Sequence, residues 1–147
     1  MTVGRDDIAT LIPHAGDMLL LDEVIAFDPD SIACVTSSQQ RPDHPLRHAG
    51  RLPALAGIEY AAQAMALHGA LTSAPGGAPV RSGLLAALRD VTLHVDRLDD
   101  VAGPMIVAAR RMAVDGERAI YSFTLEAGGH ALLAGRATVV QITEGRE

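Results

Sequence analysis

One long apolar segment constrains the fold of this chain more than any other feature. The segment runs from residue 53 to residue 71, and it begins at Pro53, which suits the first turn of a helix. Apolar side chains lie on nearly every side of the predicted helix, which would be a rod of roughly 28 Å. Such a helix must be covered on most sides, so the sequence predicts a sheet on one side of it and a second protomer on the other.

The segments around this helix are predicted to be strands. Residues 6–14 indicate a short first helix, capped by Asp6 and stopped by Pro13, and residues 73–79 indicate a loop. Two strands are expected before the long helix, and about four strands with period-two alternation are expected after it, joined as an antiparallel meander: residues 18–28, 31–40, 88–95, 104–114, 119–127 and 131–142. The expected fold class is α+β, in a single domain spanning residues 1–147.

Composition narrows the possible partners. The net charge is −6, no lysine is present and aromatic residues make up 3% of the chain. An acidic chain without a basic stripe argues against nucleic acid and against anionic membranes as partners. No secretory signal and no apolar run of the ~18 residues that a membrane span needs are visible, so a cytoplasmic protein is expected. The single cysteine, Cys34, is expected to be a buried apolar residue.

Two polar residues interrupt the apolar helix. Glu59 and Gln63 are four residues apart and therefore share one helix face. A buried ionised carboxylate without partners is costly, which leaves three alternatives for Glu59. It pairs with a cation such as Arg51 or Arg89, it stays protonated with a raised pKa, or it faces a cleft.

Two histidines in the loop before the helix favour the cleft. His44 and His48 together with Glu59 would supply the base and the acid that move protons near neutral pH. Backbone N–H groups at the helix start can bind a carbonyl oxygen, which suits proton abstraction next to a thioester. The alternative for each histidine is an exposed loop residue. A metal site is not expected, because Pro45 and Gly50 argue against the helix that the four-residue histidine spacing would need. The remaining histidines carry no motif: His14, His68, His94 and His130.

These segments resemble a known family. The stretch LIPHAGDMLLLDEV resembles the opening of the hotdog-fold β-hydroxyacyl-(acyl carrier protein) dehydratases, and GRLPALAGIEYAAQAMA resembles a divergent branch associated with aryl-polyene-type gene clusters. In that family an acidic helix residue is followed four positions later by glutamine, as Glu59 is by Gln63. Pro53 matches a family proline, and Ala54 stands where the family has glycine. The histidine nearest to the family position is His44, one residue away, whereas His48 is three residues away.

The resemblance implies a hotdog fold, a sheet wrapped around one long central helix, and a dimer with active sites at its interface. It implies dehydration of a 3-hydroxyacyl thioester, carried by acyl carrier protein or coenzyme A, to a trans-2-enoyl thioester without a cofactor. His44 is the expected base with His48 in reserve, and Glu59 is the expected acid. Gln63, Pro53 and Ala54 are expected at the substrate, with the Ala54 N–H holding the thioester carbonyl. Two alternatives remain open, a non-catalytic partner subunit of a dehydratase and a hotdog thioesterase.

A docking site for the acidic carrier protein needs local positive charge. Three arginines cluster in the loop beside the proposed site, Arg41, Arg47 and Arg51. Arginine suits phosphate contacts, so these residues are expected to bind the carrier. The alternative is that all three are solvated loop charges.

Overall fold

The computed structural model describes residues 3–12, 16–72 and 80–143, which form one antiparallel sheet around one long helix. The two helices are α1 (Arg5–Leu11) and α2 (Gly57–Leu71). The seven strands are β1 (Val3–Gly4), β2 (Glu23–Phe27), β3 (Ser31–Thr36), β4 (Val80–Leu93), β5 (Met105–Asp115), β6 (Arg118–Ala127) and β7 (His130–Thr143). The α+β architecture expected from the sequence is confirmed.

The strand order differs from a simple meander. The order across the sheet is β1-β2-β3-β5-β6-β7-β4, so only β5, β6 and β7 are neighbours in chain order after the helix. Strand β4 pairs with β7, and β5 pairs with β3. Short turns at Gly116 and Gly128–Gly129 allow the hairpins of β5, β6 and β7, whereas β4, the first strand after helix α2, pairs with the last strand, β7. Alternation alone cannot distinguish these orders.

Helix α2 lies against the concave face of the sheet. Nine of its fifteen residues are buried, and the remaining six are half-buried. The helix starts close to the sheet because Gly57 has no side chain. A Cβ at this position would lie 2.2 Å from Leu133 Cδ2 and 3.2 Å from Leu125 Cδ2. Gly57 therefore allows the first turn of α2, which carries Glu59, to approach β6 and β7 closely.

Several element boundaries differ from the sequence prediction. Helix α1 begins at Arg5 after an N-cap at Gly4, so Asp6 lies in the first turn and is not the cap. Pro53 precedes a 3-10 turn, Ala54–Ala56, and the α-helix begins only at Gly57. Strand β2 is shorter than residues 18–28 because residues 16–18 form a 3-10 turn and residues 19–22 are extended without strand pairing. The expected helix stop at Pro13 and the expected loop 73–79 lie outside the described residues.

Strand β4 forms one edge of the sheet. It is 14 residues long, it pairs on one side only with β7, and residues 85–90 are all exposed. The exposed fractions of Leu85, Leu88 and Leu93 are 39%, 41% and 47%. The edge thus combines free backbone hydrogen-bonding groups with apolar side chains. Among the helices of the described ranges, none has the length and apolarity that a membrane crossing requires.

Candidate functional site

The buried centre of the site is Gln63 on helix α2. Its side chain is fully buried and makes three hydrogen bonds. Oε1 accepts from the Leu20 N–H at 2.9 Å, and Nε2 donates to the Met18 carbonyl at 2.7 Å and to Glu59 Oε2 at 3.2 Å. The i, i+4 spacing read from the sequence therefore brings Glu59 and Gln63 into direct contact.

Glu59 is half-buried, in contrast to Gln63. Its carboxylate accepts the hydrogen bond from Gln63 Nε2, and the ion pairs between described residues do not join it to Arg51 or Arg89. The assignment of Glu59 as a catalytic acid at the edge of a cleft stays a prediction.

His44 is buried, with 3% of its surface exposed, and both ring nitrogens are occupied. Nδ1 faces the Leu46 N–H at 3.1 Å and must accept, so the proton of the neutral ring is on Nε2, which lies 3.0 Å from the Tyr60 hydroxyl. Burial lowers the pKa of His44 below 6.5, and Arg41 and Arg47 lower it further. Acting as a base would require His44 to release one of these contacts, and its assignment stays a prediction.

The Tyr60 hydroxyl continues this network into the core. Tyr60 is fully buried, and its hydroxyl lies 2.8 Å from Ser38 Oγ. Ser38 Oγ and Thr36 Oγ1 both donate to the Leu20 carbonyl, at 2.7 and 2.5 Å. Burial raises the pKa of Tyr60 to about 12, so the phenol stays protonated at neutral pH.

The other predicted site residues, His48, Pro53 and Ala54, lie in the segment before helix α2. His48 is exposed and forms an isolated bridge with Arg51. Pro53 is exposed, Ala54 is buried, and both line a groove of about 320 Å³ with residues 93–96. The Ala54 N–H, expected to bind a thioester carbonyl, donates to the Asp96 carbonyl at 3.0 Å. The structure brings Glu59 and Gln63 together, whereas His48 and the Ala54 N–H have other contacts.

The three loop arginines fall into two groups. Arg41 donates to the Asp17 carbonyl, and Arg47 donates to the carbonyls of Gln39 and Gly50. The Nε atoms of both are buried without a hydrogen-bond partner, whereas Arg51 is exposed. Arg41 and Arg47 therefore hold the loop in place, and Arg51 is the member of the trio that points to a surface role.

A second buried histidine lies further along helix α2. His68 is fully buried, with Nδ1 2.7 Å from the Tyr121 hydroxyl and Nε2 2.9 Å from the Asp28 carbonyl. No sequence motif includes His68. Its side chain links helix α2 to β6 and to the turn before β3. His94 and His130 are exposed, and His14 lies outside the described residues. Within residues 3–12, 16–72 and 80–143, no three potential metal ligands come together.

Sequence reasoning missed the polar network around Leu20. Thr36, Ser38 and Gln39 follow a strand in a polar run, yet each is at least 96% buried. The sequence predicted a continuing strand there, which would have exposed alternate residues. The signal for the network is weak in the sequence, because it joins this run to a tyrosine about twenty residues later.

The comparisons with known proteins concern the family and the fold of the chain. The ApeP-like family, described as ApeP dehydratase, matches residues 6–147. The dehydratase heterocomplex ApeI:P from Xenorhabdus doucetiae contains a chain that is 21% identical, with a TM-score of 0.81, 93% of this chain covered and 91% of that one. No curated protein matches the chain significantly.

Two solved thioesterases have the same fold at lower similarity. A mutant thioesterase from Pseudomonas aeruginosa is 16% identical, with a TM-score of 0.62, 95% of this chain covered and 94% of that one. A thioesterase from Haemophilus influenzae is 15% identical, with a TM-score of 0.60, 85% of this chain covered and 80% of that one. Identities this low show the fold and leave the reaction open. With its sheet around one main helix and the family match over residues 6–147, the chain has a hotdog fold and belongs to the ApeP-like dehydratase family.

Proposed function

We propose that this chain supplies the carboxyl group of Glu59 to a dehydratase site that it shares with a second hotdog chain. The substrate would be a 3-hydroxyacyl thioester and the product a trans-2-enoyl thioester. The membership of the ApeP-like dehydratase family supports the reaction class. The partner chain would supply the histidine base, so that neither chain alone completes the site.

The contrast between Glu59 and His44 carries this proposal. Glu59 is half-buried and is oriented by Gln63 Nε2 at 3.2 Å. His44 is 3% exposed, and both of its ring nitrogens have partners inside the protomer. A general base needs a nitrogen that can reach the substrate, whereas an acid needs an oriented and accessible carboxyl group.

Two surfaces of the molecule fit a partner chain. Helix α2 has a half-buried apolar stripe of Ile58, Ala62, Ala66 and Ala70. Edge strand β4 has free backbone groups and three partly exposed leucines. A partner strand added to β4 would pair this backbone and bring a second helix near the stripe. One relative of the same fold is a dehydratase heterocomplex, which agrees with a hetero-oligomer.

The elimination is a proton transfer at each end of one carbon–carbon bond. The partner histidine takes the proton from C2, the electron pair forms the C2–C3 double bond, and the C3–O bond breaks. Glu59 gives its proton to the departing hydroxyl, which leaves as water. Gln63 keeps the carboxyl group of Glu59 in place during the transfer. The reaction needs no redox step, and no cofactor is part of the proposal.

The groove before the helix is the proposed approach for the thioester. It lies between Pro53–Leu55 and Leu93–Asp96, with Leu55 60% exposed. An acyl chain or its pantetheine arm would be covered there by the partner chain. Acyl carrier protein or coenzyme A would carry the acyl group, with Arg51 as the candidate for a phosphate contact.

The proposal is tested by replacing Glu59 in this chain and purifying the variant together with the partner chain from the cells that produce both. Glu59→Gln should lower the rate of enoyl thioester formation by about 10²-fold or more, because the variant keeps the shape and loses the transferable proton. Glu126→Gln is the matched control, since Glu126 is a half-buried carboxylate on β6. The measurement is enoyl absorbance with both carrier-linked and short soluble 3-hydroxyacyl thioesters.

Other results of the same assay would overturn parts of the proposal. Activity of the pure chain that His44→Ala or His48→Ala abolishes would assign the base to this chain itself. A free acid as product would assign the chain to the thioesterases. If the wild-type complex has no activity on 3-hydroxyacyl thioesters of any chain length, the chain would be a non-catalytic subunit.

A further inference from the structure

We propose that Tyr60 is a positioning residue for Glu59, acting through Ser38, Leu20 and Gln63. The inference rests on the proposed role of Glu59 as the acid. It assigns a purpose to the buried hydroxyl network, which the elimination itself does not use.

The first step is the orientation of the Gln63 amide. Leu20 offers an N–H donor and Met18 offers a carbonyl acceptor to the two ends of this amide, at 2.9 and 2.7 Å. A flipped amide would face donor with donor and acceptor with acceptor. The backbone at residues 18–20 therefore decides that Gln63 turns its NH₂ group, and not its oxygen, toward Glu59.

The second step is the position of that backbone. Residues 19–22 lie outside the strands, and their backbone is held at two points. The Asp22 N–H donates to the Val35 carbonyl at 3.1 Å, and the Leu20 carbonyl accepts from Thr36 Oγ1 and Ser38 Oγ. Leu20 thus has one peptide group held by hydroxyls and the other by Gln63. A shift of the Leu20 carbonyl moves the N–H that orients the amide.

The third step links Ser38 to the helix. His44 Nε2–H donates to the Tyr60 hydroxyl, because Nδ1 already accepts from Leu46, and the Tyr60 hydroxyl is then available to donate to Ser38 Oγ. Ser38 Oγ donates to the Leu20 carbonyl at 2.7 Å and also lies 3.0 Å from Thr36 Oγ1. In this series of hydrogen bonds, the Tyr60 hydroxyl accepts from His44 and donates to Ser38. Both hydroxyls are buried, since Tyr60 is 0% exposed and Ser38 4% exposed. Without the Tyr60 hydroxyl, Ser38 can rotate away from Leu20.

This series of hydrogen bonds connects Tyr60 to the carboxyl group of Glu59 through residues that lie outside the helix. Tyr60 directly follows Glu59 in the sequence, yet their side chains point to different sides of α2. A misdirected Gln63 amide would present an oxygen to the carboxylate. Small displacements of an acid reduce proton transfer without preventing substrate binding.

Tyr60→Phe in the active complex tests the proposal, because it removes the hydroxyl and leaves the ring. The expected result is a kcat about five- to tenfold lower with KM unchanged, the size of one lost hydrogen bond. Tyr121→Phe is the matched control. It also removes a buried hydroxyl that contacts a histidine, and it should leave kcat within about twofold.

A double-mutant comparison separates positioning from general damage to the fold. In a Gln63→Leu background, where the route to Glu59 is cut, Tyr60→Phe should change kcat by less than about twofold. An equal kcat loss in Tyr60→Phe and Tyr121→Phe, or a full Tyr60→Phe effect in the Gln63→Leu background, would overturn the proposal.

A second readout keeps this inference distinct from the proposed function. If the wild-type complex does not dehydrate thioesters, the proposed function fails, and the Glu59 carboxyl carbon can still be followed by carbon-13 NMR through a pH titration. A titration midpoint that moves in Tyr60→Phe and stays fixed in Tyr121→Phe supports the positioning role. Identical midpoints in all three proteins would refute it.

Discussion

The two buried histidine–tyrosine pairs of this molecule have the same composition and different connections. His44–Tyr60 joins the loop to the first half of helix α2, with a 3.0 Å contact and rings tilted by 32°. His68–Tyr121 joins the second half of α2 to strand β6, with a 2.7 Å contact and perpendicular rings at 89°. Both histidines have neutral rings with a proton on Nε2, as their partners require.

The direction of the hydrogen bonds separates the pairs. Tyr60 accepts from His44 and can pass its own proton to Ser38, whereas Tyr121 donates to His68, whose Nε2–H ends at the Asp28 carbonyl. The first pair is therefore the middle of a longer network, and the second pair is a closed link between elements. The same two residue types belong to a longer hydrogen-bond network in one case and link two elements in the other, because the groups around them differ.

The largest expected effect comes from removing His68, which links helix α2 to strand β6. His68→Ala should lower the free energy of unfolding by about 3 kcal/mol, because it leaves a cavity in the core and removes the hydrogen bonds to the Tyr121 hydroxyl and to the Asp28 carbonyl. Urea unfolding followed by circular dichroism measures this change. His94→Ala, at an exposed position, should stay within about 0.5 kcal/mol. Equal stability of both variants would contradict a structural role for His68.

The next effect compares the two tyrosines directly. Tyr60→Phe should cost about 2 kcal/mol of unfolding free energy and Tyr121→Phe about 1 kcal/mol. The difference arises because Tyr60→Phe leaves two buried groups, the His44 Nε2–H and Ser38 Oγ, without their partner. Tyr121→Phe removes the partner of the buried His68 Nδ1 and of the half-buried Arg111, which also donates to the Pro29 carbonyl. Urea midpoints of the two variants at equal protein concentration provide the measurement. A reversed order would show that the longer network does not act as described.

The smallest effect is a pH dependence that both pairs share. Burial lowers the pKa of His44 and of His68 below 6.5 in the folded protein, whereas the unfolded chain binds these protons near 6.5. The unfolded state then holds more protons below this pH, so stability should be constant above pH 6.5 and should fall as the pH drops below it. Urea midpoints through this range measure the loss. His44→Gln and His68→Gln should each remove part of the slope, and an unchanged slope in both would refute the cause.

The sequence by itself determined the central helix, the sheet around it and the Glu59–Gln63 pair. These follow from local periodicity, since an apolar helix needs cover and residues four apart share a face. The resemblance of the helix segment gave the family, and the match over residues 6–147 confirms it. Cys34 is buried, as its surroundings in a strand predicted.

Tertiary structure alone decided the strand order and the hydrogen-bond partners of His44 and His68. The pairing of β4 with β7 joins two strands that are far apart in the sequence, and the alternation within a strand does not encode which strand is its partner. The partners of both histidines lie up to 53 residues away in the sequence, and some of them are backbone groups that every residue type has. A hydrogen bond to a backbone carbonyl or N–H leaves no mark on residue identity, so only the folded chain reveals which histidine is held by such bonds.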